Sequence, residues 1–279
     1  LAYGDIAARA RERFDVPFEV VVSDNASEDH TQEVLRRQAE KMHYLKSVRL
    51  SSTVVPSRNW VNASRNATGR FLVYLADDDS LIPEAVLDYV RCMDADPALS
   101  AIFADWIAYD DAQGREMHRY FHLSEPASFG PNDPIGLLDF VLRHVLLPEI
   151  GLFRRDALLK SDFVRTTYYP HLHWMYLLSR TGAIAFELAP FYREHRVLKP
   201  QFQRTTWNNV QASLMMIGDE FRRILETLVL WAIQDAGHTN VPQEQAANLR
   251  QMIDQFLHAR VPLEIRRAAA QKDWLLATE

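Results

Sequence analysis

Apolar residues follow two alternating rhythms along the first two hundred positions. Short continuous runs rich in β-branched and aromatic residues read as buried strands: FEVVVS (18–23), VRL (48–50), FLVYLA (71–76), AIFADWIAYDD (101–111), IGLFRR (150–155) and AIAFELAPFYREHR (183–196). Between them apolar residues recur every three or four positions, which predicts helices over 1–13, 27–42, 57–69, 83–93, 136–146 and 173–182. Ser27 or Asp29 supplies the start of the second helix, with Val34, Leu35 and Met42 on its buried face. Gly69 stops the third, and Pro83 opens the next, whose stripe is Val86, Leu87, Val90 and Met93. Strand–helix alternation of this kind predicts an α/β fold with a mainly parallel sheet flanked by helices. Residues 112–135 hold Pro and Gly without periodic apolar positions and read as a long loop or flap. From about residue 201 only helical spacing remains, so the expected organisation is a 1–200 domain followed by a 201–279 helical appendage.

Composition narrows the class. The chain has 279 residues, 48% of them hydrophobic and 24% charged, values of an ordinary globular protein with a sizeable core. A net charge of −6 argues against binding nucleic acid through a basic surface. The one cysteine, Cys92, forms no intrachain disulfide, so a reducing compartment is expected. Its place in VLDYVRCM predicts a buried structural thiol. No run of 18 apolar residues crosses a membrane, and the first 14 residues lack a signal-peptide core, which predicts a cytoplasmic protein. The tail from Arg260 mixes Arg with Leu, Ile and Trp274. It reads as a solvated helix face, with peripheral membrane or oligomer contact as the alternative.

The chemistry lies at strand ends, because ligands of open α/β sheets bind beyond the carboxyl ends of the strands. One apolar strand ends at Asp24-Asn25, another at Asp77-Asp78-Asp79. Three adjacent carboxylates repel one another unless solvent or a cation intervenes, and hard carboxylate oxygens suit Mg²⁺ or Mn²⁺. The bland alternative is a solvated turn ahead of the Pro83 helix.

Taken together, the apolar strand with DNAS, a helix, then SRNWVNASRNATGRFLVYLADDD and a Pro-led helix resembles the family-two glycosyltransferases. The match covers about residues 1–200 and is specific between Phe18 and Pro83. The resemblance implies a GT-A-like (Rossmann-like) fold, with residues 1–105 as the nucleotide-sugar half and 106–200 as the acceptor half. It also implies inverting transfer of a sugar from a nucleoside diphosphate to a hydroxyl of a glycan or lipid-linked acceptor, as in surface polysaccharide synthesis. Asp24, with Asn25 beside it, matches the acid that contacts the nucleotide base, and the Asp77–Asp79 cluster matches the metal and ribose motif; the resemblance does not divide those roles among Asp77, Asp78 and Asp79, of which Asp78 is the strongest single candidate for the metal. Arg58 and Arg65 are candidates to reach the nucleotide. Residue 1 falls inside what would be the family's first helix, after the opening strand and its Pro-Thr-Tyr-Asn-like turn.

The acceptor half departs further. The family's catalytic Asp, ahead of a helix of the LLSRTG type, is replaced in YYPHLHWMYLLSRTG by His173, with His171 two residues earlier. An imidazole of near-neutral pKa can abstract the same proton. Asp105 is a second base candidate and Glu149 a third. In YREHR, Arg193, His195 and Arg196 follow a strand, where they can hold the diphosphate or complete the metal site. Two other readings stand beside this one: a silent nucleotide- or glycan-binding domain, motivated by the altered base position, and a nucleotidyltransferase, against which the DNAS strand end argues.

Overall fold

The computed structural model describes residues 17–76, 79–121, 123–146, 148–161, 170–196, 218–235, 237, 247–248 and 250–259. The predicted first helix, Asp77 and Asp78 lie outside the described residues, as do the side chains of His171 and Arg196. The strands are β1 (Val20–Asp24), β2 (Leu45–Arg49), β3 (Phe71–Val73), β4 (Ser80–Leu81), β5 (Leu99–Asp110), β6 (Arg115–Arg119), β7 (Ala127–Phe129), β8 (Gly151–Arg154) and β9 (Ala183–Arg196). The helices are α1 (Thr31–Lys41), α2 (Pro56–Asn66), α3 (Pro83–Ala95), α4 (Pro134–Arg143), α5 (Arg155–Lys160), α6 (Pro170–Ser179) and α7 (Gly218–Asp235). An eighth, α8, covers residues 250–259.

Strands β1 and β2 form a separate parallel pair. The other seven form one sheet in the order β3-β8-β5-β9-β4, with β6 added to β5 and β7 to β9. The α/β class holds, but the large sheet is mixed rather than mainly parallel: only β5 and β9 run parallel, and the remaining pairs are antiparallel. The reason is local. β6 returns from β5 through a tight turn, a link that only antiparallel neighbours can share, and β4 and β7 are short strands laid along β9.

The core centres on β5 and β9. Every residue of β5 except Tyr109 is buried. A strand buried on both faces reads as a continuous apolar run, which is why β5 is visible in the sequence, while β9 is buried at Ile184–Phe186 and at Phe191 and Tyr192. Phe186 is the hub of a ring cluster, with Phe103, Phe129 and Phe140 centred 5.8, 6.3 and 5.1 Å away. The C-terminal helices are not set apart from this core. Leu225, Leu228 and Ala232 of α7 and Ile253, Phe256 and Leu257 of α8 belong to the same buried cluster as β5 and β9. Asp235 anchors α7 by accepting hydrogen bonds from Tyr176 Oη and Arg180 Nε, both at 2.7 Å.

Three local expectations are corrected. Residues 112–135 are not one loop: β6 and β7 form within them, and all five β6 residues are exposed, leaving no apolar signal to read. Cys92 is exposed, because α3 buries Tyr89 and Met93 and residue 92 is turned about 100° from Met93. No residue of α1 is buried, and Val34 is 52% exposed. Among the described residues, no helix is long and apolar enough to cross a membrane.

Candidate active site

A cavity of about 1040 Å³ runs between β1, α2 and the segment from β3 to α3. Val20, Val22, Phe71 and Val73 give it apolar walls, and Ser23, Asp24 and Asn25 of the β1 end a polar mouth. Ala76 and Leu81, which lie in sequence on either side of the acidic triplet, line the same cavity.

The β1 end is fixed by asparagines of α2. Asn59 Nδ2 donates to the Ser23 carbonyl at 3.0 Å, and Ser23 Oγ donates to Asn59 Oδ1 at 2.6 Å. Asn62 Nδ2 donates to Ser23 Oγ at 2.8 Å. Asn59 and Asn62 are three residues apart and share a helix face, a signal present in SRNWVNA but not used in reading it. Asn25 spends its side-chain amide within the protein: Nδ2 donates to the Val54 carbonyl (2.8 Å) and Oδ1 accepts from the Val54 amide (2.9 Å). It therefore staples the turn after β1. That turn includes Ala26 at φ 60, a left-handed conformation uncommon for a residue with a Cβ.

Asp24 is only 4% exposed. Its Oδ1 accepts from the Ser27 amide at 2.9 Å, while its buried Oδ2 makes no close hydrogen bond and lies 3.5 Å from Arg49 Nη1, with the Ser27 and Gln32 side chains also supporting the carboxylate. Burial works against its charge, but the Ser27 side chain and amide and the Arg49 guanidinium outweigh it, holding the carboxyl below the usual range. Arg58 and Arg65 are exposed on α2 and do not line the cavity.

At the other acidic end, Asp79 turns into the protein. Tyr192 Oη donates to its Oδ2, and the His195 amide donates to its Oδ1 at 2.9 Å. Burial beside this carboxylate pushes the Tyr192 phenol far above its ordinary value. The imidazole of His195 is held at both nitrogens, by Ser80 Oγ at 2.6 Å and Asp111 Oδ1 at 2.7 Å. Arg193 lies over the Tyr109 ring, 5.8 Å from its centre. Among the described residues, no group of three or more His, Cys, Asp or Glu side chains is placed to hold a metal ion. Among the described residues, His195 is the group with a ring nitrogen facing this strand end, and Asp79 already spends both oxygens.

The base candidates lie apart from each other. Asp105 is buried, and its Oδ1 accepts three amides, from Trp106 (2.8 Å), Tyr120 (3.1 Å) and Phe121 (2.7 Å). It thus fixes the segment after β6. His173 packs against Trp231 of α7, with ring centres 5.6 Å apart, and its buried Nδ1 has no partner. Burial keeps its pKa below the usual histidine value, so the ring is neutral at pH 7. The next residue, Trp174, lines the cavity, its ring 5.4 Å from that of Trp60. Sequence reading placed the helix correctly but did not single out these two tryptophans.

A strand-end carboxylate beside a cavity, with mixed α/β sheets flanked by helices, marks a GT-A-type fold. The chain belongs to glycosyl transferase family 2, whose model matches residues 7–161, and it is a nucleotide-sugar glycosyltransferase. S. aureus TarS 1–349, solved in complex with UDP-GlcNAc, shares the fold: TM-score 0.55 and 16% identity, covering 97% of this chain and 84% of that one. So does the mannosyltransferase PcManGT from Pyrobaculum calidifontis, solved with GDP-Man and Mn²⁺, with TM-score 0.51 and 17% identity over 98% of this chain and 74% of that one. No curated protein matches the chain.

Proposed function

We propose that the chain is an inverting, metal-dependent transferase that moves a sugar from a nucleoside diphosphate to a hydroxyl of a glycan or lipid-linked acceptor, in surface polysaccharide synthesis. The observation that carries the donor half of this reading is Asp24: a charged, buried carboxylate with one oxygen lacking a hydrogen-bond partner at the mouth of the cavity. An N–H donor of a nucleobase satisfies that oxygen. Asn25 and Asn59 act by fixing the strand end, and Asp77, together with Arg58 or Arg65, is the proposed contact to the ribose and phosphates.

Asp78 and His195 are the proposed ligands of Mg²⁺ or Mn²⁺, with Asp79 as the anchor that ties β4 to β9 rather than as a ligand. The cation supplies neutralisation of the negative charge on the leaving diphosphate. The acceptor oxygen attacks the anomeric carbon from the face opposite the diphosphate. The new glycosidic bond forms as the bond to the diphosphate oxygen breaks, and the acceptor proton passes to a base. His173, whose buried Nδ1 has no hydrogen-bond partner and which stands next to the cavity-lining Trp174, is favoured over Asp105 for that role, because Asp105 Oδ1 already serves three amides. A cytoplasmic enzyme working at the inner face of a membrane fits a lipid-linked acceptor.

Turnover of a panel of nucleotide sugars, with Mn²⁺ and with excess chelator, tests the reading. Donor hydrolysis or transfer is expected only with metal. Asp24→Ala is expected to weaken nucleoside diphosphate binding by about 1.5–3 kcal/mol. His173→Ala is expected to lower turnover by about 10²–10⁴ while binding persists. Nucleotide binding with no turnover of any donor would leave a silent binding domain. Full turnover in His173→Ala would make that residue a packing partner of Trp231 alone.

A further inference from the structure

We propose that Trp231 of α7 is a positioning residue that fixes the His173 imidazole on α6 and shields it from water, which makes the C-terminal helix a working part of the active site. The proposal rests on the reading of His173 as the group that takes the acceptor proton.

Helix α6 turns two faces to different partners. His173, Tyr176 and Arg180 recur at i, i+3 and i+7 and meet α7. Trp174, turned about 100° from His173, lines the cavity instead, with its ring 5.4 Å from that of Trp60. Whatever fixes α6 against α7 therefore sets both the imidazole and the cavity wall. On α7 the contact is made by Trp231 and Asp235, one helical turn apart on the same face. The Trp231 ring is centred 5.6 Å from that of His173 and 6.0 Å from that of Tyr176.

The indole is itself held. Arg180 lies over the Tyr176 ring at 5.2 Å and over the Trp231 ring at 5.3 Å, so one guanidinium bridges the two helices. Asp235 closes the bridge by accepting from both Tyr176 Oη and Arg180 Nε, bonds strengthened by its charge. Leu228 and Ala232, beside Trp231 on α7, are buried in the core cluster and anchor the helix there.

A base needs a ring that is both neutral and aimed. The buried Nδ1 of His173 has no hydrogen bond to orient the ring, so packing has to do it, and Trp231 is the ring beside it. The ionisable groups of the contact, Tyr176, Arg180 and Asp235, bond to one another, and burial alone lowers the His173 pKa. Water admitted beside the ring would reverse that shift, and a displacement of about 1 Å at a reacting group costs about 100-fold in rate.

The test compares the full chain with Trp231→Ala, Trp231→Phe and His173→Ala. NMR titration follows the His173 ring signals, assigned by their loss in His173→Ala. Hydrolysis of UDP-GlcNAc and, separately, of GDP-Man gives kcat and KM across pH. In Trp231→Ala the His173 midpoint is expected to rise toward the ordinary value of about 6.5. The acid limb of the rate profile should move up with it, and kcat should fall by about 100-fold with donor KM unchanged. Trp231→Phe, which keeps an aromatic ring at the contact, is expected to restore both. An unmoved midpoint or an undiminished kcat in Trp231→Ala overturns the proposal. So does a Trp231→Phe protein no better than Trp231→Ala, because the loss would then track any change in α7. If His173→Ala keeps wild-type turnover, the base reading itself fails. If it loses turnover while Trp231→Ala does not, only the positioning role fails.

Discussion

Strands β1 and β5 look alike in the sequence, each a short apolar run ending in a carboxylate, yet the fold holds them by different means. β5 is buried almost throughout, flanked by β8 and β9 and wrapped in aromatic rings. β1 is buried fully only at Asp24; it pairs with β2 alone, borders the cavity and is gripped at its end by Asn59 and Asn62. Their terminal acids differ too. Asp24 keeps one oxygen without a hydrogen-bond partner, whereas Asp110 uses its carboxylate to staple the turn that carries Asp111. Burial makes β5 a scaffold that tolerates little change. Directional side-chain bonds make β1 a ligand-facing edge whose geometry is set by a few groups.

The comparison predicts unequal costs of truncation. Phe186 is fully buried, so Phe186→Ala is expected to cost about 3–5 kcal/mol in urea unfolding. Val22→Ala, on half-buried β1, is expected to cost about 1 kcal/mol or less. Equal losses would mean that β1 is held by packing as tightly as β9. On the β1 side the asparagines should matter more than the valines. Asn59→Ala removes both bonds to Ser23 and is expected to cost about 1–3 kcal/mol. It should also weaken nucleoside diphosphate binding without touching the ligand, because the strand end that presents Asp24 is released. Loss of stability with fully retained affinity would show that Asp24 is positioned by something other than Ser23.

Acid should separate the two regions most gently. His173 has its pKa lowered by burial, so its contribution to stability is complete above the unfolded value of about 6.5 and falls as pH drops below it. Asp24 also has a lowered pKa. Its contribution is present above the unfolded carboxylate value of about 3.9 and disappears as pH falls through the lower folded value. Thermal unfolding from pH 7.5 down to 3 should therefore show two declines. The earlier one should vanish in His173→Gln and the later one shrink in Asp24→Asn. Persistence of the earlier decline in His173→Gln would assign it to another group.

The elements that were legible in the sequence are those whose signal is burial. β5, β9 and α3 announce themselves through runs and stripes of Val, Leu, Ile and Phe. β6 does not, because REMHR is exposed along its whole length. The acidic strand ends were legible because three carboxylates after an apolar run are chemically conspicuous. What their side chains do was not: Asp79 and Asp105 sit at the ends of similar-looking patterns, yet both turn inward, toward Tyr192 in one case and toward backbone amides in the other. Hydrogen bonds between residues as distant as Ser23 and Asn62, or Asp111 and His195, leave no periodicity to detect.

The indole pair on the cavity wall gives the protein an optical reporter of its own state. Trp60 and Trp174 belong to α2 and α6, two helices that approach the cavity from different parts of the chain, and Tyr74 stands 4.5 Å from Trp60. Anything that enters the space between β1 and β3 changes the polarity these rings sense, and any change in the spacing of the two helices alters how they exchange excitation. Emission from unlabelled protein can therefore follow filling of the cavity in real time, with no coupled assay and no knowledge of which sugar is carried.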